Sequence, residues 1–380
     1  MLEQLQVRIE ELFERERLDE ALVLAEKAVH QARRSLPPGD PAIADALATL
    51  GVLQLHLGRA TAAESTQREA LELREAALGP EHPEVGRSLN QLAAVHHSEG
   101  RYGEAEGLWS RVLQIRERTL GPGHQGVGET LESLAKASAY RGDLGQAAQH
   151  CQRALRVLVA ALGPADPRVG EALGTMGWIL AEGGHHAEAV SYYERGLQIH
   201  VDALGLEQPT AAMLMSNQAA SLTALGRFPE ARSLYERCLE IYRTSYGERH
   251  PYLAMVLNDL ARLFVAEGNL QEAEQSYRRA LELFRVTLGP DHPYTARTLS
   301  NLGELVSSTG RAEEARRLHE RACELLEQAL GPAHRDLARA LERLAAHLER
   351  SGDTEGAARC RLRVAGIRDD RQGNHDGESR

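Results

Sequence analysis

The chain has 380 residues, 42% of them hydrophobic and only 4% aromatic, with a formal net charge of −11. That charge excludes a general affinity for nucleic acid or anionic lipid, and no apolar run approaches the roughly 18 residues of a membrane span. The four cysteines fall at unrelated positions with no C-x-x-C, so a disulfide framework is excluded and a soluble, cytoplasmic protein is expected.

Residues 1–40 predict a first, degenerate helix pair. Leu5, Ile9, Leu12 and Ala21 keep a helical frame, and Glu3, Arg8 and Glu11 charge its outer face, as the cap of an array requires. From residue 41 a fixed period of 42 residues takes over, in units 41–82, 83–124, 125–166, 167–208, 209–250, 251–292 and 293–334. Glycines stand at Gly58, Gly100, Gly142, Gly184, Gly226, Gly268, Gly310 and Gly352; alanines keep the same step from Ala63 to Ala357. A third column, Gly51, Ala93, Ala135, Gly177, Ala219, Ala261, Gly303 and Ala345, is always small. An unbroken period of this size means one supersecondary unit stacked on itself.

Residues 83–124 show how one unit is built. Pro83 suits the first turn of a helix, whose N–H has no partner in any case. Leu89, Leu92, Ala93 and His96 then recur at helical spacing to about residue 98, where Gly100 supplies a C-terminal stop. A second helix starts near Tyr102, turns Ala105, Leu108, Trp109, Val112, Leu113 and Ile115 inward, and ends at Leu120-Gly121-Pro122. The small columns mark where the two antiparallel helices cross most closely. A last, degenerate pair, 335–368, keeps Gly352, Ala357 and Val364 and carries Arg359, Arg361 and Arg363 outside. Residues 369–380 contain no apolar side chain and read as a disordered polar tail.

Leu257, Ala261, Gly268, Ala273, Tyr277, Ala280 and Leu281 resemble the signature of the tetratricopeptide repeat. The 42-residue length and the Leu-Gly-Pro-x-His-Pro junction, intact at Leu78–Pro83 and Leu288–Pro293, are similar to the repeats of kinesin light chains and related bacterial proteins. The resemblance implies an all-α, right-handed superhelical α-solenoid of about nine helix-turn-helix units over residues 1–368, with the first helix of each unit lining a concave groove. The N-terminal coiled coil of kinesin light chains is lacking here, so a motor role does not follow.

No pattern for chemistry survives inspection. Gly121-Pro122-Gly123-His124-Gln125-Gly126 matches G-x-G-x-x-G formally, but it follows a helix and occupies the place of the unit junction, not of a strand. His82, His124, His250, His292 and His334 are one junction position repeated, and local capping of the next helix is their expected role. No catalytic, cofactor-binding or metal-ligating residue is expected, and the chain reads as no enzyme.

The expected site is therefore the groove. The resemblance places Asn90, Gln91, Asn217, Asn258, Asp259 and Asn301 on its surface, where an amide can donate to and accept from a peptide backbone at once. Arg87 belongs to the same set. Charge is segregated along that face: Glu129, Glu132, Glu171 and Glu182 form an acidic section, whereas Arg262 shares a helix face with Asn258 and Arg297 with Asn301. The basic section predicts a protein or peptide partner with an acidic segment or free C-terminus; pairing of these arginines with Asp259, Glu304 or a neighbouring unit is the alternative. The function expected is a non-catalytic scaffold for an extended peptide or short helix. The alternative is a ligand-sensing module that switches a partner enzyme, a signalling ATPase or protease, by changing solenoid pitch. Gln218 stands where other units place a leucine (Leu92, Leu260, Leu302), which predicts a soft spot near residues 209–224.

Overall fold

The structure, a computed structural model, describes residues 2–15, 17–332 and 334–376. Glycines with positive φ recur every 21 residues from Gly58 (72°) through Gly79 (85°) and Gly100 (77°) to Gly352 (86°). Each closes one helix in a left-handed turn that a side chain would strain. Two helices therefore fit each period, one starting after the junction (A) and one after the short turn (B), as the 42-residue spacing predicts. No strand occurs among the described residues.

The helices fall into two compact units, 1–184 and 185–380. The first holds A helices α1 (Leu2–Glu14), α3 (Pro41–His56), α5 (Pro83–Ser98), α7 (Gln125–Arg141) and α9 (Pro167–Glu182). Its B helices are α2 (Leu18–Ser35), α4 (Ala60–Leu78), α6 (Tyr102–Leu120) and α8 (Leu144–Leu162). The second unit begins with B helix α10 (His186–Leu204) and continues α11 (Pro209–Ala224), α12 (Phe228–Tyr246), α13 (Pro251–Glu267), α14 (Leu270–Thr287), α15 (Pro293–Ser308), α16 (Ala312–Leu330), α17 (Arg335–Arg350) and α18 (Thr354–Asp376). Helical backbone thus continues through 369–376, a segment whose composition predicts disorder. No proline interrupts it there, and a helix already anchored in the core by Val364 and Ile367 extends at little cost. Residues 377–380 lie outside the described residues. No described helix is long and apolar enough to cross a membrane.

Within each unit every helix packs on its neighbours in sequence, and successive A helices also touch directly: α3 on α5, α7 on α9, and α11, α13, α15 and α17 in turn. B helices make no comparable contact, so the A helices form the tighter layer, in pairs within the first unit and as a run of four in the second. The small columns sit at the A–B crossings, as expected: Ala63, Ala105, Ala147, Ala189, Ala231, Ala273 and Ala315 are wholly buried. At two glycines of the A-helix column the opposing B side chain has filled the space. A methyl on Gly303 would stand 3.0 Å from the His319 ring, and one on Gly51 only 2.5 Å from the Gln67 amide.

Outside, B helices are laced by arginine–carboxylate pairs about one unit apart, among them Arg33–Glu69, Arg111–Glu75 and Arg278–Glu314. Such exposed pairs add at most about 1 kcal/mol each. The four cysteines are buried, and burial pushes the Cys151, Cys238 and Cys323 thiols up to about 12, which fits their reading as small core residues.

Candidate functional face on the A helices

Among the described residues, seven of the nine A helices, all but α1 and α11, begin at a side-chain N-cap set by the junction. The Nδ1 atoms of His82, His124, His250, His292 and His334 accept the backbone N–H two residues on, at 3.0 to 3.3 Å. The junction histidines are caps, as their spacing predicts, and Asp40 and Asp166 do the same work in two other units. With their starts fixed, the capped A helices keep the same register from unit to unit.

Two adjacent positions form a ladder. The residue in the column of Gln91 reaches the one in the column of Asn90 on the preceding A helix, 43 positions earlier. In the first unit Gln6 Nε2 meets Thr49 Oγ1 at 3.4 Å, and Thr175 Oγ1 donates to Glu132 at 2.8 Å. In the second, Asn301 Nδ2 donates to Asn258 Oδ1 at 3.0 Å, and Arg343 reaches Ser300 Oγ at 3.4 Å. Arg343 also donates to Asn301 Oδ1, while Asn258 Nδ2 donates to Asp259 at 3.2 Å. The amides expected to lie open to a ligand are therefore oriented by one another, between a guanidinium and a carboxylate.

The remaining expected residues divide as follows. Asn90 accepts from Trp109 Nε1 at 3.0 Å, inside its own helix pair. Arg87 is exposed and paired with Glu84 at 3.0 Å; Gln91 and Asn217 are half-buried, with no hydrogen bond among the described residues. Arg262 faces Asp259 at 3.6 Å, the pairing foreseen as the alternative. Burial pushes the Asp259 carboxyl above the usual carboxylate range, with Arg262 and Arg297 pulling the other way. Arg297 lies over the Tyr294 ring at 5.6 Å and is exposed, without an ion pair among the described residues.

The four carboxylates of the acidic section do not stand alone. Glu132 is bound by Lys136 at 2.7 Å, and Glu129 lies 3.8 Å from Arg116 and 4.0 Å from Arg168. Burial, then Glu132, raises the Glu171 carboxyl, with Lys136 and Arg168 opposing. Glu182 is exposed at the end of α9. Cations interleaved on the same helices compensate a section that looks acidic when only its carboxylates are counted.

Two arginines escaped the sequence reading. Arg343 stands 42 residues after Asn301 and Arg339 stands 42 after Arg297, both in the degenerate last pair. Extending the columns one unit further would have found them. Arg339, like Arg297, is exposed with no ion pair among the described residues. Met213 and Met255 occupy the same column on α11 and α13, Met213 being 47% exposed.

A tetratricopeptide repeat family profile matches residues 12–76, 50–107, 84–150, 130–200, 210–285 and 265–328. The chain belongs to the tetratricopeptide repeat family. No curated protein matches it. Among solved structures, a Rap protein complexed with Competence and Sporulation Factor is 14% identical, covering 98% of this chain and 99% of that one, with a TM-score of 0.65. The apo quorum sensor NprR from B. thuringiensis is 14% identical over 96% and 97%, with a TM-score of 0.58. A putative kinesin light chain of Podosopora anserina is 24% identical over 54% of this chain and 96% of that one, with a TM-score of 0.46.

Proposed function

We propose that this tetratricopeptide repeat chain is a non-catalytic scaffold that holds a protein or peptide against its A helices. In the second unit the preferred ligand is an extended segment ending in acidic residues or a free carboxylate. One observation carries the reading. Arg297 and Arg339 occupy the same repeat position on α15 and α17, both exposed and both without an ion pair among the described residues. Guanidinium groups so placed offer bidentate sites to carboxylates. The methionines of the same column, Met213 and Met255, offer adaptable apolar contacts two and one A helices before Arg297. The ladder that orients Asn258 and Asn301 leaves each NH2 group one hydrogen for a backbone carbonyl.

Affinity capture from a lysate tests this, with the wild-type chain beside Asn258→Ala/Arg262→Glu/Arg297→Glu/Asn301→Ala. Loss of the captured protein supports the reading, whereas equal capture moves the site elsewhere. A second reading, a ligand-sensing module that regulates a partner enzyme, is supported by the shared fold with the quorum sensor NprR and the Rap protein complexed with Competence and Sporulation Factor. It predicts that a bound ligand changes which protein is captured.

A further inference from the structure

In the first unit a hollow of about 330 Å3 opens between α1, α3 and α5. Its floor is Ile9 and Leu53, both buried; its walls are Phe13, Ala48 and Val52. Phe13 keeps 36% of its surface exposed and stands edge-on to His56, with ring centroids 5.0 Å apart. The volume reaches the lower end of the range for ligand pockets, roughly 300–1,000 Å3.

The charges at the rim are already matched. Arg74 is buried beneath it, paired with Asp45 and donating to Ser88 Oγ at 2.6 Å, and Arg87 is paired with Glu84. Glu10 accepts from Gln6 Nε2 at 3.1 Å and has no cation of its own among the described residues. A ligand group entering here meets apolar carbon below and no spare positive charge above. An acidic side chain would lose hydration without gaining a partner and would face Glu10. Beside the opening, the half-buried Gln91 amide has no hydrogen bond among the described residues and suits a peptide backbone, whereas the Thr49 hydroxyl already donates to the Asp45 carbonyl at 3.1 Å.

We propose that this hollow is an anchor site for one large apolar side chain, leucine, methionine or an aromatic, of an extended peptide lying on the A helices of the first unit. The peptide part rests on the reading above; the anchor rests on the hollow alone. The first unit thus selects an uncharged apolar residue, where the second selects a carboxylate.

Methyl NMR spectra of the full chain, titrated with Ac-Gly-Phe-Gly-NH2, Ac-Gly-Leu-Gly-NH2, Ac-Gly-Ala-Gly-NH2, Ac-Gly-Asp-Gly-NH2 and benzyl alcohol, test this. The phenylalanine and leucine peptides are expected to shift the Val52 and Leu53 methyls with Kd near 1 mM, and the alanine and aspartate peptides to bind at least about tenfold more weakly. Ala48→Phe, which fills the hollow, abolishes the shifts; Phe13→Ala, at an exposed position that folding tolerates, weakens them at least about threefold. Unmoved methyls at about 10 mM, or shifts that persist in Ala48→Phe, overturn the anchor. Benzyl alcohol separates the failures. If it enters the hollow and no tripeptide does, the peptide part is wrong for this unit. If nothing enters, the anchor is wrong and the second unit is judged by its own capture experiment.

Discussion

Asn301 on α15 donates its side-chain N–H to the side-chain carbonyl of Asn258 on α13 at 3.0 Å, across two A helices 43 residues apart in sequence. The same step joins Thr175 to Glu132 in the first unit, so the link belongs to the repeat and not to one accident of sequence. In the second unit it ends on Arg343 and Asp259, which fix which way both amides point. A row of polar side chains that a ligand would use is first a row that holds the helices in register.

Removing that link should cost stability as well as binding. Asn301→Ala is expected to lower stability by about 1 kcal/mol, and a double-mutant cycle with Asn258→Ala to show coupling of about 0.5–1.5 kcal/mol. Additive effects in urea unfolding would mean that the two amides do not support each other.

Glycine in the small column is a packing residue, whereas glycine on the exposed face of a B helix is only a helix weakener. Gly303→Ala pushes a methyl to 3.0 Å from His319 and should cost about 1–3 kcal/mol. Gly107→Ala in α6 meets nothing within 4 Å and should add about 0.5–1 kcal/mol. Thermal unfolding of the two variants should therefore move in opposite directions. Ala231→Leu, at a wholly buried crossing, belongs with the first and is expected to cost about 1–3 kcal/mol.

The crossings and turns were readable because the period repeats them: a column that is always small, or always glycine, states a steric condition many times over. The N-caps were readable for the same reason. The ladder was not, since Asn258 and Asn301 look like independent groove positions until two helices are set side by side. Nor was the compensation of Glu129 and Glu132, because their cations, Arg168 and Lys136, lie on other units or one turn away. Hydrogen-bond partners between units depend on a spacing that periodicity alone does not supply.

Acid should unfold the chain through its buried histidines. Burial, followed by Lys136, lowers His97 to about 4; burial, followed by His347, lowers His319 to about 4. The unfolded chain takes up these protons near pH 6.5, before the folded one does. The stability contributed by these two neutral rings is therefore complete above about pH 7, falls from about 6.5 and is gone near 4. Urea midpoints should follow that course, with a shallower slope in His319→Gln. A constant midpoint down to pH 4.5 would show that the folded chain takes up these protons as readily as the unfolded one.

Gln218 is 7% exposed, holds Glu194 only at 3.5 Å, and leaves its carbonyl oxygen without a protein partner. Gln218→Leu should stabilise the chain by about 1–2 kcal/mol and slow amide exchange in α11, which is expected to exchange fastest among the A helices of the second unit. Protection in α11 equal to that of α13 would remove the soft spot from the account.

On the proposed function, partners bind the A helices and not the B helices. A photo-crosslinking residue placed at Met213, on α11, and in a second variant at Val286, on α14 and 52% exposed, tests it on the captured partner. A crosslinked product is expected from position 213 and none from position 286. Crosslinking from 286 alone, or equally from both, would contradict it and place the function on the B helices.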